Sequence, residues 1–200
     1  MVESTDRPDR AGARGVALVA VFVGLAAALG FALAPVPNVE LVTFTVFAAG
    51  ATLGRARGAL VGALTAALYS GLNPAGSGVA IPTLFAGQIL AWSLTGFVGG
   101  LAGRLLVPLT RDATALRVAV SGALGALLTI VYQGAVILGL ALAGMTLAGA
   151  DAGWSAWRSD LGAALAANAF FSLVHVVSNG ILFSVLAPQI VPRLRALVRH

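Results

Sequence analysis

Six apolar runs follow one another along this 200-residue chain, and the segments between them hold nearly all of its charge. The runs cover residues 15–34, 37–53, 58–72, 84–106, 117–147 and 161–187. A helix rises about 1.5 Å per residue, so crossing a hydrocarbon core of ~30 Å takes ~20 residues. A composition of 59% hydrophobic and 10% charged residues also argues against an ordinary soluble domain. The pattern predicts an all-α integral membrane protein with a bundle of six transmembrane helices.

The second and third runs are the shortest, and the tight sequence GRARG at 54–58 joins them. We expect these two spans to be tilted, to thin the bilayer locally or to pack inside the bundle. The first run, 20 residues long, exceeds the ~7–15 apolar residues of a signal peptide, so we interpret it as a retained span. The expected organisation is an N-terminal segment at 1–14, a transmembrane domain at 15–187 and a basic C-terminal segment at 188–200.

Arginine supplies all the positive charge of the chain, with twelve arginines, no lysine and a net charge of +5. In a six-span arrangement eleven of them fall on one side, which also holds the loops 54–58 and 104–117, and only Arg158 falls on the other. Cytoplasmic loops are enriched in arginine and lysine, so we expect both termini in the cytoplasm and the loops 72–83 and 148–160 outside. Short clusters of this kind are typical of topology signals, not of a nucleic-acid-binding face.

Small residues recur at every fourth position on two of the predicted spans. The first ridge consists of Ala20, Gly24, Ala28 and Ala32, and the second of Gly58, Gly62, Ala66 and Ser70. Such ridges let helix backbones approach closely, either within a bundle or against a partner. The residues alone leave both alternatives open.

Polar side chains at helical spacing form one stripe on the sixth run, and such a stripe is costly in lipid unless it faces protein, water or a ligand. When residues are counted from the outer end of each run, polar groups of the fourth and fifth runs lie with this stripe in the outer half of the bundle. We therefore predict a small-molecule pocket open to the outside. The candidate binding residues on these three spans are Gln88, Trp92, Gln133, Asn168, Ser172, His175 and Asn179.

Within this set, Gln88, Asn168 and Ser172 are expected to contact the ligand. His175 and Asn179 are expected to form the pocket floor or a helix-to-helix hydrogen bond. Asn38 completes the candidates; it is the expected N-cap of the second helix, with Glu40 in the first turn.

The sequence disfavours several other chemistries. Apart from residues counted to the loops, the spans hold no Asp, Glu, Lys or Arg, which disfavours an ion-coupled carrier. No Walker A motif is present, so partner subunits would have to hydrolyse any ATP. Two histidines and no cysteine make a metal site or a bound cofactor unexpected.

An intramembrane hydrolase of the rhomboid type is a further alternative, because AGSG at 75–78 and the pair His175 and Asn179 are faintly similar to its motifs. Ala75 replaces the first glycine of that family's Gly-x-Ser-Gly, Ser77 lies in a loop, and no second intramembrane histidine exists. We therefore do not expect an enzyme.

Three stretches carry a resemblance to a known family: VPNVELVTFTVFAAGATLGRARGALVGALTAALYSG at 36–71, GQILAWSLTGFVGGLAGRL at 87–105 and HVVSNGILFSVLAP at 175–188. They resemble the substrate-binding S components of energy-coupling factor (ECF) transporters. The resemblance implies a multi-pass protein of a prokaryotic plasma membrane with both termini in the cytoplasm. It would bind a vitamin or related micronutrient from outside. A separate module, made of a transmembrane coupling protein and two ATPase subunits, would supply the energy.

The resemblance also assigns a partner surface, because the family's Ala-x-x-x-Ala ridge on the first span corresponds to Ala20, Gly24 and Ala28. One departure concerns the substrate: relatives often have a tryptophan- and proline-rich stretch before the Gln-x-x-Ala-Trp element, whereas IPTLFAGQILAW at 81–92 has no tryptophan before Trp92. Cobalamin-related compounds, riboflavin and thiamine precursors all stay open as substrates. The alternative function is a stand-alone small-solute carrier or channel.

Overall fold

The computed structural model describes residues 7–36, 39–72, 78–103, 114–148 and 153–199. Within these ranges the chain forms six α-helices and one turn of 3-10 helix at Gly78–Ala80, and no β-strand. The expectation of an all-helical chain is confirmed. The helices are α1 (Arg7–Leu33), α2 (Val42–Leu53), α3 (Arg55–Leu72), α4 (Pro82–Ala102), α5 (Thr114–Ala148) and α6 (Gly153–Arg199).

Four of the described helices, α1, α4, α5 and α6, are long and apolar enough to cross a membrane. In contrast, α2 has 12 residues and reaches only ~18 Å at about 1.5 Å per residue. The helices therefore fit a membrane-embedded bundle, while the number of six spans stays a prediction.

The short helix α2 forms the centre of the bundle. Every residue from 42 to 51 is buried, and α2 packs against each of the other five helices. A helix that is apolar on all sides can be accommodated only where protein or lipid surrounds it. Of the three alternatives for the second run, the structure shows packing inside the bundle.

The start of α2 differs from the sequence-based expectation. Leu41 occupies the N-cap position and makes no side-chain cap, so the prediction of an N-cap at Asn38 is wrong; Asn38 itself lies outside the described residues. Glu40 precedes the helix instead of lying in its first turn. Its carboxylate accepts a hydrogen bond from the backbone nitrogen of Thr43 at 3.4 Å, and so provides the missing cap.

The small-residue ridge of α3 is used for internal packing. Gly58, Gly62, Ala66 and Ser70 are all buried. A Cβ atom added at Gly62 would lie 2.1 Å from the carbonyl oxygen of Trp92, and one added at Gly58 would lie 2.4 Å from that of Gly96. Glycine thus lets the α3 and α4 backbones come into direct contact.

The similar ridge of α1 is exposed and takes no part in internal packing. Ala20, Gly24 and Ala28 are exposed, and a Cβ added at Gly24 would meet no atom within 4 Å. This ridge borders an apolar groove of about 660 Å³ between α1 and α3. The inward face of α1 is formed instead by Val19, Phe22 and Ala26.

Arginine side chains gather at one end of the bundle, here called the arginine end. Arg14 donates a hydrogen bond to the carbonyl oxygen of Val198 at 3.1 Å, and Arg195 donates one to that of Gly103 after α4. Both bonds satisfy carbonyl groups at helix C-termini, where a positive charge is favourable. The structure does not separate 188–200 from the bundle, since α6 continues through Pro188 and Pro192 to Arg199.

Candidate ligand-binding site

A pocket of about 350 Å³ lies at the end of the bundle opposite the arginine end. Its wall is formed by the C-terminal end of α1, the segment leading into α2, and residues of α3, α4, α5 and α6. This volume lies within the range of roughly 300–1,000 Å³ that is typical of small-molecule sites. Five of the eight predicted binding residues line it: Gln88, Trp92, Gln133, Asn168 and His175. The structure thus brings polar residues of α4, α5 and α6 into one pocket, and ligand binding on the outer side of a membrane stays a prediction.

Two other candidates, Ser172 and Asn179, do not line the pocket in the structure. Ser172 accepts a hydrogen bond from Nε2 of Gln133 at 2.9 Å, and Asn179 donates one from Nδ2 to Oγ1 of Thr129 at 3.0 Å. Both bonds join α5 to α6. His175 lines the pocket, as a floor residue would, whereas Ser172, an expected ligand contact, does not. Asn38 lies outside the described residues.

Glu40, which the sequence reasoning placed in a helix turn, lines the pocket and organises its base. Its Oε1 accepts hydrogen bonds from Nε2 of His175 at 3.2 Å, from the backbone nitrogen of Thr43 and from Oγ1 of Thr43. The same Oγ1 accepts a hydrogen bond from Nε1 of Trp92 at 3.2 Å. We call these four residues, Glu40, Thr43, Trp92 and His175, the Glu40 network.

The network controls the charge of Glu40, which lies outside the helices. Burial alone would raise the pKa of this carboxyl, but the hydrogen bond and electrostatic attraction of His175 and the two bonds from Thr43 outweigh that effect. The pKa of Glu40 is therefore lower than its ordinary value, and the group is a carboxylate at neutral pH. The side chain of Glu40 is only 17% exposed, and a carboxylate with so little access to water is retained only where partners compensate for its lost hydration, as they do here.

Aromatic rings form the wall beside the Glu40 network. Tyr132 stacks on Trp92 with ring centroids 5.1 Å apart, and its ring meets His175 edge-on at 5.9 Å. Tyr69 meets Trp92 edge-on, also at 5.9 Å. All three rings line the pocket, but Trp92 is only 1% exposed, whereas Tyr69 and Tyr132 are half-buried and contribute more of the wall's surface. The binding residues predicted from the sequence included neither Tyr69 nor Tyr132.

Two buried polar atoms of the pocket wall have no hydrogen-bond partner among the described residues. They are Nδ1 of His175 and Oε1 of Gln88, although Nε2 of Gln88 donates to the hydroxyl of Tyr132 at 3.4 Å. An unsatisfied buried group costs ~1–3 kcal/mol, so such groups are rare and concentrate where function requires them. Together with Glu40 they give the wall unused hydrogen-bonding capacity.

The arrangement is suited to binding a small molecule between aromatic rings and a carboxylate. Across the described ranges, no group of three or more His, Asp or Glu side chains is placed to hold a metal ion. Comparisons of the chain with protein-family models, with curated proteins and with solved structures find no match. The functional interpretation therefore rests on the pocket and on the membrane-type helices around it.

Proposed function

We propose that this chain is the membrane-embedded binding subunit of an ECF-type importer, which captures a vitamin or related micronutrient for uptake driven by a separate ATP-hydrolysing module. The observation that carries the proposal is the pocket at one end of an apolar helical bundle. Its wall combines aromatic rings with a few convergent polar groups, which is the composition of small-molecule sites.

Orientation gives a second line of support. The pocket lies at the end away from Arg14 and Arg195, and arginine-rich ends of membrane proteins face the cytoplasm. On that rule the pocket faces outside, as capture of an external nutrient requires. Six spans with both termini in the cytoplasm belong to the proposal.

The α1 ridge supports the proposed coupling partner. Ala20 and Gly24 are exposed along the apolar groove between α1 and α3, and no described side chain covers Gly24. Small exposed residues allow a second helix to approach closely within a membrane. We assign this surface to the transmembrane coupling protein.

One observation favours a second candidate, a proton-coupled carrier that acts alone. Sequence reasoning counted no carboxylate among the residues of the spans, but Glu40 is drawn into the bundle beside His175. Paired carboxylate and histidine groups within membrane proteins are common parts of proton pathways. The two candidate functions therefore differ in their energy source, which is ATP hydrolysis by partner subunits for the importer and a proton gradient for the carrier.

Uptake by proteoliposomes tests the proposal. The purified chain is reconstituted alone or with a coupling protein and two ATPase subunits, and accumulation is measured for a radiolabelled vitamin that the chain binds. We expect accumulation only with the complete module and ATP, and none with ATPase subunits unable to hydrolyse ATP. Accumulation by the chain alone under a pH gradient, abolished by Glu40→Gln, would instead establish the proton-coupled carrier.

A further inference from the structure

The described side chains that line the pocket include an acidic residue but no arginine or lysine. Glu40 is the single acidic side chain among them, and the one histidine, His175, already donates from Nε2 to Oε1 of Glu40. All three hydrogen bonds that the described residues give to Glu40 reach Oε1, which leaves Oε2 without a partner among them. The wall therefore offers one carboxylate oxygen to a ligand.

The aromatic rings favour the same sign of charge. Tyr69 and Tyr132 both line the pocket with partly exposed rings, on the side where Trp92 supports them. The face of an aromatic ring carries negative potential, so it attracts cations and also stacks on planar groups. A flat ligand that carries a positive charge would satisfy both the rings and Glu40.

An anionic ligand would be repelled by the carboxylate of Glu40. A ligand carboxylate ~5 Å from Glu40, at an effective dielectric constant of ~20, would lose affinity by a factor on the order of 100 through charge repulsion. The described part of the wall has no guanidinium or ammonium group to offset this repulsion, and the imidazole of His175 is already paired with Glu40.

We propose that the pocket selects a planar, positively charged nitrogen compound, with its cationic or amidine-like nitrogen at Oε2 of Glu40 and its ring against Tyr69 and Tyr132. This assignment rests on the proposed function, because it names the substrate class of the same pocket. It narrows a vitamin or related micronutrient to one whose recognised part is a cationic ring.

Two series of probes with matched rings and different charges test the assignment. The first is benzamidine, benzamide and benzoate, and the second is 1-methylnicotinamide, nicotinamide and nicotinate. Binding to the purified full-length chain in detergent is measured by titration calorimetry at neutral pH. We expect the cation of at least one series to bind at least ~10-fold more tightly than its neutral analogue, and the anions to bind most weakly.

A pair of variants links the preference to one carboxylate. Glu40→Gln should reduce the affinity for the cation by ~10- to 100-fold and change the affinity for the neutral analogue by less than ~3-fold. Asp160→Asn is the control, because it also removes one negative charge from the chain, and Asp160 does not line the pocket. This control should leave the cation preference unchanged.

The possible results separate this inference from the proposed function. Tighter binding of the neutral or anionic probes overturns the charge assignment and keeps the pocket as a binding site. Absence of binding by all six probes also overturns it, and ATP-dependent vitamin uptake would then still support the proposed function. Equal loss of cation affinity in Glu40→Gln and Asp160→Asn would show that net charge, and not Glu40, sets the preference.

Discussion

Substituting Thr43 by valine tests whether the Glu40 network holds the base of the pocket together. Thr43 is fully buried, and its hydroxyl both donates to Glu40 and accepts from Nε1 of Trp92. Valine has nearly the same shape, so the change removes the hydroxyl without opening a large cavity. The buried indole nitrogen of Trp92 then loses its partner, and the carboxylate loses one of its donors.

The expected cost follows from these two losses. A hydrogen bond to a charged group contributes ~1.5–3 kcal/mol, and leaving a buried donor unpaired costs ~1–3 kcal/mol. Because the losses share one atom and are not fully additive, we expect Thr43→Val to destabilise the protein by about 2–5 kcal/mol. At roughly 2–4 °C per kcal/mol for a chain of this size, the melting temperature should fall by about 4–20 °C.

Thr45→Val, one residue further along α2, is the matched control. Thr45 is also buried, but its hydroxyl donates only to the carbonyl oxygen of Leu41, at 2.7 Å. That oxygen also accepts from the backbone nitrogen of Thr45, so it stays satisfied, and we expect a loss of less than ~1 kcal/mol. Both melting temperatures are measured in detergent by differential scanning fluorimetry. Equal shifts for the two variants would refute the network's role.

Three further predictions concern the ridge, the pocket and the topology. Gly24→Leu should leave folding intact and abolish co-purification with the coupling protein. Gly62→Leu should prevent folding, because its Cβ would lie 2.1 Å from the carbonyl oxygen of Trp92. If the two variants folded and co-purified equally well, the assignment of the α1 ridge to a partner would be wrong. Asn168→Ala and Gln88→Ala should weaken binding of the identified ligand by ~5- to 150-fold in titrations, while His175→Ala should lower the melting temperature at least as markedly. An impermeant thiol reagent outside the cell should label a cysteine at position 151 and spare one at 111; the reverse result would invert the topology.

The helices were accessible from the sequence because hydropathy fixes where apolar segments begin and end. Each of the six apolar runs has a helix in the structure, although α6 continues through Pro188 and Pro192 beyond its run. The central position of α2 was only one of three alternatives. A segment that is apolar on all sides has no polar face that would indicate where neighbouring helices pack, so its sequence does not show whether lipid or protein surrounds it.

The two small-residue ridges show a second limit of the sequence. Gly24 and Gly62 occur in the same four-residue pattern, yet Gly24 is exposed and Gly62 packs against Trp92. The spacing defines a stripe along a helix, but the rotation of that helix in the bundle depends on all its other contacts.

The pocket was partly predictable, because the depth of a polar residue along its span can be counted from the sequence. Depth counting placed Gln88, Gln133 and Asn168 in the outer half of the bundle, and the structure joins them in one pocket. Glu40 was missed because its function depends on His175, 135 residues away in sequence. An acidic residue at the edge of an apolar run, with one histidine on another span, was the available signal for this pair.

The central claim is that the pocket binds a micronutrient, and ligand-dependent melting of the purified chain tests it most directly. A panel of vitamins and their precursors is screened in detergent, with Asn168→Ala measured alongside. We predict that at least one compound raises the melting temperature, since a ligand at 100 times its Kd stabilises by ~2.7 kcal/mol, and that Asn168→Ala requires a higher concentration for the same rise. No rise with any compound, or a rise unchanged in Asn168→Ala and Gln88→Ala, would contradict the claim.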